Sequence, residues 1–264
     1  MIAHHRSALV PSIGVLFLLT GCTRPSFTTP KTIVDLSPSI GEDLPLLSLG
    51  KRVFQESGGR DTTTFQHSIV ETPFYAARSY IELDNHTGPH HDPPNHLIKG
   101  AKSTDQISLG RFYGHAIVID FRTKPKDQPL MATDFQNRGI QPDDIVIAFV
   151  GYRSPTTADE LPSYAYLSGE AAEYLATLPV KAFATDMPSL GGIKHYTELS
   201  VRGVQGSQAF FPEHYAFLSR EIPAIECLVN LEAIVNEKNV VFVGFPIKIK
   251  DGSGAPMRPA ALIY

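Results

Sequence analysis

The sequence predicts a mixed α/β domain built around a substantial sheet or barrel. Two observations predict it. Several short apolar, β-branched runs are separated by Pro- and Gly-rich turns, as in sheet proteins. Only a few segments carry apolar residues at helical spacing, one of them with a clear N-cap.

Residues 1–21 read as an export signal. His4, His5 and Arg6 form a polar start, an apolar run follows over Ile13–Leu19, and the segment ends in Leu19-Thr20-Gly21-Cys22. The run is too short to be a permanent membrane span. Removing it leaves 243 of the 264 residues, enough for one large domain or two small ones. The removed part holds one Arg and no acid, so the mature chain carries 22 basic and 27 acidic residues, a formal charge of −5. No basic run is present and nothing suggests nucleic acid as a partner. Residues 22–31 are a short tether, and 32–264 form the domain.

Within that domain Thr32–Leu36 reads as a first strand. Residues 37–65, rich in Pro, Gly and Ser, read as irregular structure with the character of a lid. Arg78–Leu83 alternates polar and apolar residues as a strand. Ala116–Phe121 and Asp144–Val150 read as buried strands. Ser168 caps a helix over the residues that follow. Val180–Thr185 is a strand leading into an Asp186-Met-Pro-Ser-Leu-Gly-Gly loop. Glu213–Arg220 is a short helix opened by Pro212, which is tolerated in a first turn. Ile225–Leu231, Val240–Ile249 and Ala260–Tyr264 complete the strands.

Four of the ten histidines fall in one eleven-residue stretch, His86-Thr-Gly-Pro-His90-His91-Asp92-Pro-Pro-Asn-His96. Gly88, Pro89, Pro93 and Pro94 rule out a regular helix there. In an extended or turn-like segment side chains alternate, so His86, His90, Asp92 and His96 can share one side while His91 points away. Imidazole and carboxylate without thiolate suit Zn²⁺, Mn²⁺ or Fe²⁺; the competing reading is a polar loop without metal. Further donors must come from elsewhere. Glu226 sits inside an apolar run, where an unpaired carboxylate is costly. His214, twelve residues earlier, is its candidate partner. Taken alone, each is as readily an edge-strand glutamate or a surface histidine. Cys227 reads as a small buried hydrophobe, Asp186 as a residue that holds its loop, and His67, His115 and His195 as ordinary.

The histidine stretch resembles the signature of the cyclase family, which includes bacterial kynurenine formamidases and isatin hydrolases. The family pattern is His-x-Gly-Thr-His-x-Asp-x-Pro-x-His; Pro89 stands here in place of the Thr. Val34-Asp-Leu-Ser, Leu167-Ser-Gly-Glu-Ala-Ala-Glu-Tyr-Leu, Asp186-Met-Pro-Ser189, the His214/Glu226 spacing and Asp251–Arg258 extend the resemblance over roughly residues 33–264. It implies a swivelling β/β/α fold, usually in dimers or tetramers. It implies one or two divalent metal ions, Zn²⁺ first and Mn²⁺ next. His86 and His90 would bind the first, Asp92 and Glu226 would bridge, and His214 would complete the second. Metal-activated hydroxide would attack the carbonyl of an aromatic amide, with His96 as the proton shuttle. The implied activity is that of an arylformamidase, N-formylkynurenine going to kynurenine and formate; cyclic amides and lactones, or metal binding without turnover, are the alternatives. The formamidases place a Trp near the substrate ring, and this chain has none. Separately, Leu19–Cys22 resembles a bacterial lipobox. That implies lipidation at Cys22, a lipid anchor and the periplasmic side of an outer membrane, since Thr23 rather than Asp follows.

Overall fold

The computed structural model describes residues 28–41, 63–154 and 161–264. The expected export signal, Cys22, most of the expected tether and most of the 37–65 segment lie outside those residues. The first three strands are β1 (Thr32–Asp35), β2 (Thr64–Val70) and β3 (Ala76–Glu82). The strands β4 (His90–Asp92), β5 (Tyr113–Asp120) and β6 (Pro129–Leu130) precede helix α1 (Ala132–Phe135). Strands β7 (Ile145–Phe149) and β8 (Tyr166–Leu167) lead to α2 (Gly169–Thr177), then β9 (Ala182–Thr185) and α3 (Ile193–Val201). Helices α4 (Ser207–Phe210) and α5 (Pro212–Leu218) follow, then β10 (Ala224–Glu226), β11 (Val240–Val243), β12 (Ala255–Pro256) and β13 (Ala260–Ile263).

Nine strands form one curled sheet in the order β1-β13-β11-β5-β7-β9-β10-β4-β12. The middle, β5 to β10, is parallel. The flanking pairs are antiparallel. Parallel strands are covered on both faces and read as continuous apolar runs. β7 is the case in point: all five residues are buried. Its side chains alternate between two cores. Val146 and Ala148 join Phe183, Leu175, Tyr196 and Phe217 on the face covered by α2, α3 and α5. Ile145, Ile147 and Phe149 join Leu36, Phe112, Ala182, Ala184 and Phe242 on the other.

The elements depart from the sequence expectation mainly at their ends. The irregular segment expected over 37–65 runs into a strand, because Thr64–Val70 pairs along its whole length with Ala76–Glu82 as a separate two-stranded sheet. The strand expected over Ile225–Leu231 stops at Glu226, where Cys227 turns left-handed with φ 64°. That over Val240–Ile249 stops at Val243, ahead of Gly244 and Pro246. Ala116–Phe121 begins earlier, at Tyr113, and ends at Asp120, with only Gly114, Ala116 and Ile119 of the strand buried. Helix α3 went unanticipated. Two glycines precede it and β-branched residues weaken its propensity, so the buried Ile193, Tyr196 and Leu199 side chains hold it.

Helix α2 matches its expected start. Ser168 Oγ accepts a hydrogen bond from the Ala171 amide at 3.1 Å, satisfying an otherwise orphaned donor. Ser168→Ala is therefore expected to lower unfolding free energy by about 1 kcal/mol, measured as a shift in urea midpoint at constant slope.

Candidate metal centre

The register of β10 against β4 builds the site. In this antiparallel pair Glu226 stands opposite His90, Ile225 opposite His91 and Ala224 opposite Asp92. Opposed residues share a face, so His90, Asp92 and Glu226 point together toward the helical layer. His91 points the other way, as the parity of the stretch predicted, and its ring meets Phe112 at 4.9 Å between centroids. Parity operates only within this three-residue strand. His86 arrives by a turn in which Gly88 takes φ 62°. His96 arrives on a 3₁₀ turn, Pro94–His96. His214 comes down from α5, whose first helical residue is Pro212.

The other five residues gather around Asp92. His86 Nδ1 lies 2.9 Å and His90 Nε2 3.6 Å from Asp92 Oδ1. His90 Nε2 is 3.4 Å from Glu226 Oε2. His214 Nε2 is 3.0 Å from Glu226 Oε1 and 3.7 Å from Asp92 Oδ2. The rings of His86 and His96 are 4.6 Å apart, and those of His96 and His214 are 6.3 Å apart. His90, Asp92, His214 and Glu226 are buried, whereas His86 and His96 are partly exposed, so the cluster opens to solvent on their side.

The surroundings aim the donors. His90 Nδ1 donates to the Gly88 carbonyl at 2.8 Å, which turns Nε2 toward the two carboxylates. The Leu190 amide donates to Glu226 Oε1 at 2.9 Å. Asp186 accepts from the Val150 and Tyr152 amides at 2.9 and 2.7 Å, the loop-holding role expected of it, and burial pushes its carboxyl up to about 6. His115 pairs with Asp144, His67 with Ser79, and His195 stacks on Tyr166, all away from the cluster.

Charge is unusually concentrated here. Burial alone would raise the Asp92 carboxyl, but His96, His86 and His90 outweigh it and hold it well below the usual carboxylate range. Burial and the Asp92 charge likewise oppose ionisation of Glu226, and His214 and His90 overcome both. Burial disfavours the charged form of His214, yet Glu213 and Glu226 carry it up to about 10. His96 goes the other way: burial, with His86 and His214 nearby, takes it down to about 4 despite Asp92. The imidazole is therefore neutral at neutral pH.

The donor set fits a divalent metal ion. Ligand atoms about 2.0–2.2 Å from a tetrahedral ion stand about 3.3 Å from one another, and the contacts above range from 2.9 to 3.7 Å. Asp92 Oδ1 is buried with only the imidazole nitrogens of His86 and His90 close by and no well-aligned hydrogen bond, a setting that suits a cation. Candidate donor atoms of His90, Asp92 and Glu226 all lie within 4.8 Å of one another, as do those of His86, Asp92 and His96. Three participants escaped the sequence analysis. Glu213 and Tyr196 sit behind His214. Cys227, expected as a plain hydrophobe, has its thiol within bonding reach of His90, and burial raises its pKa. Adjacency to His214 was the one available sign for Glu213.

Comparison with known proteins places this geometry. The sequence profile of the Cyclase family matches residues 34–191. A kynurenine formamidase of Salinibacter ruber is 27% identical over 180 residues, covering 67% of this chain and 76% of that protein. An isatin hydrolase of Roseibium aggregatum is 22% identical over 256 residues, covering 88% and 91%. Among solved structures, an isatin hydrolase bound to the product analogue thioisatinate superposes with a TM-score of 0.71 at 20% identity, over 88% of this chain and 92% of that one. A structure described as a potential metal-dependent hydrolase with cyclase activity superposes at 0.62, with 20% identity, over 88% and 98%. With that profile spanning more than half its length and its histidine cluster folded around a single carboxylate, the chain belongs to the cyclase family of metal-dependent hydrolases.

Proposed function

We propose that this protein hydrolyses a small aromatic amide, in the manner of an arylformamidase acting on N-formylkynurenine. The observation that carries the reading is a partly exposed, neutral imidazole, His96, standing at the open side of a buried set of metal ligands. A binding protein needs the ligands; a hydrolase also needs a group that moves a proton. A bound divalent ion, Zn²⁺ in first place and Mn²⁺ in second, supplies a water of lowered pKa and polarises the carbonyl. His86, His90, Asp92, Glu226 and His214 would hold one or two such ions. His96 accepts the proton of the attacking water and returns it to the leaving nitrogen. For a formamide the products are a free amine and formate.

A second reading has its own support. The isatin hydrolase aligns over 256 residues against 180 for the formamidase. Attack on a cyclic amide is the same step with the leaving nitrogen still tethered. A panel of N-formyl arylamines and isatin-like rings separates the two by relative kcat/KM.

The chain is proposed to be exported, cut before Cys22 and anchored there by lipid on the periplasmic side of the outer membrane, working as a dimer or tetramer. The Leu19–Cys22 pattern and the polar-then-apolar lead support the anchor.

Adding Zn²⁺ or Mn²⁺ to chelator-treated protein is expected to raise its melting temperature, by about 2.7 kcal/mol of stabilisation at a hundredfold excess over Kd; an unchanged melt argues against a metal centre. His96→Ala should keep the metal stoichiometry and lower kcat by about two to four decades. Loss of metal along with rate would make His96 a ligand instead, and an unchanged rate would remove it from the chemistry. Cys22→Ser should move the protein from the detergent-requiring membrane fraction to the soluble periplasmic fraction, with palmitate incorporation abolished.

A further inference from the structure

The buried carboxylate of Glu213 has no place in the ligand set, yet it touches the ligand His214. Consecutive residues on a helix point about 100° apart, so Glu213 and His214 would not ordinarily meet. Here Glu213 Oε1 lies 3.2 Å from His214 Nδ1. Tyr196 on α3 holds it there: its hydroxyl donates to the same Glu213 oxygen and also lies 3.4 Å from His214 Nδ1. All three residues are buried.

The loop before α3 is shaped around this arrangement. A β-carbon at Gly191 would overlap both Tyr196 Oη and Glu213 Oε1, so only glycine leaves room for the pair. The Gly191 carbonyl accepts from Tyr164 Oη at 2.7 Å, and the preceding Leu190 amide bonds Glu226. One loop therefore leaves space for the support of His214 and bonds the carboxylate facing it.

We propose that Glu213, steadied by Tyr196, is a positioning residue that fixes His214 with Nδ1–H turned inward and Nε2 offered to the metal-binding cluster. A carboxylate accepts at that nitrogen and cannot donate, so it admits only the form in which Nδ1 carries hydrogen. Nε2 then faces Glu226 and Asp92. A histidine ligand buttressed by an outer carboxylate gains orientation and basicity. The inference rests on the reading of the cluster as a metal centre.

The test measures Zn²⁺ and Mn²⁺ affinity by chelator competition on the wild type, Glu213→Gln and Tyr196→Phe, with ¹⁵N resonances of the histidine rings followed in parallel. The Gln side chain keeps the volume but removes the charge. Glu213→Gln should bind metal about tenfold or more weakly and shift the His214 Nδ1 resonance, with the Tyr196→Phe loss in the same direction and smaller. A role confined to packing would change the melting temperature of the metal-free protein while leaving affinity within twofold and the resonance in place, and that result overturns the proposal. If Glu213→Gln does not fold, Tyr196→Phe decides on the same two readouts. Wild-type protein that binds neither metal overturns the metal-centre reading itself, a failure distinct from equal affinities across the three proteins.

Discussion

Asp92 and Glu226 are two carboxylates brought to one buried face by two adjacent strands. Left alone they would repel each other, and burial would drive protons onto both. The rest of the site compensates. His90 stands opposite Glu226, His214 descends from α5 to touch both acids, and His86 and His96 line the solvent-facing side. A divalent cation would complete the same compensation, and both the donor chemistry and the spacing suit one. The fold contributes the one element this balance cannot do without: an antiparallel register that sets an acid from one end of the chain against a histidine from the other.

That register also explains how a flexible-looking segment becomes a rigid site. Only three residues of the histidine stretch are strand, but they lie between β10 and β12. The prolines at 93 and 94 end the strand and turn the chain back as a 3₁₀ segment carrying His96. The Pro89 carbonyl, just before the strand, accepts from the Met257 amide at 2.8 Å. Pro89, which departs from the family pattern, thus sits at a position used through its carbonyl, a group proline retains.

Much of this was legible in the residues. The density of His86, His90, Asp92 and His96 exposed half of the centre, and the even numbering of His90 and Asp92 correctly set them apart from His91. Glu226 was visible as an acid in an apolar run. His214 was named from the residues only as its candidate partner; ligand roles for the two came with the family resemblance, because neither residue alone outweighs an ordinary surface or edge role. The support behind His214 was not legible. Glu213 looks like any first-turn acid, and Tyr196 belongs to a helix whose stability is tertiary. The strand ends at Glu226 and Val243 were missed for a local reason: apolar residues continue past both, while a left-handed Cys227 and a glycine-proline pair end the pairing.

The candidate ligands divide into two groups, 86–96 and 214–226, separated by more than a hundred residues. In an extended polypeptide those groups are strangers, and a metal ion would find only one of them within reach. The centre comes into being only when β4 slots beside β10, late in the order of sequence and across a long loop. A cation held by both groups would fasten two distant chain segments as a noncovalent staple, and its capture would report the completion of the whole sheet.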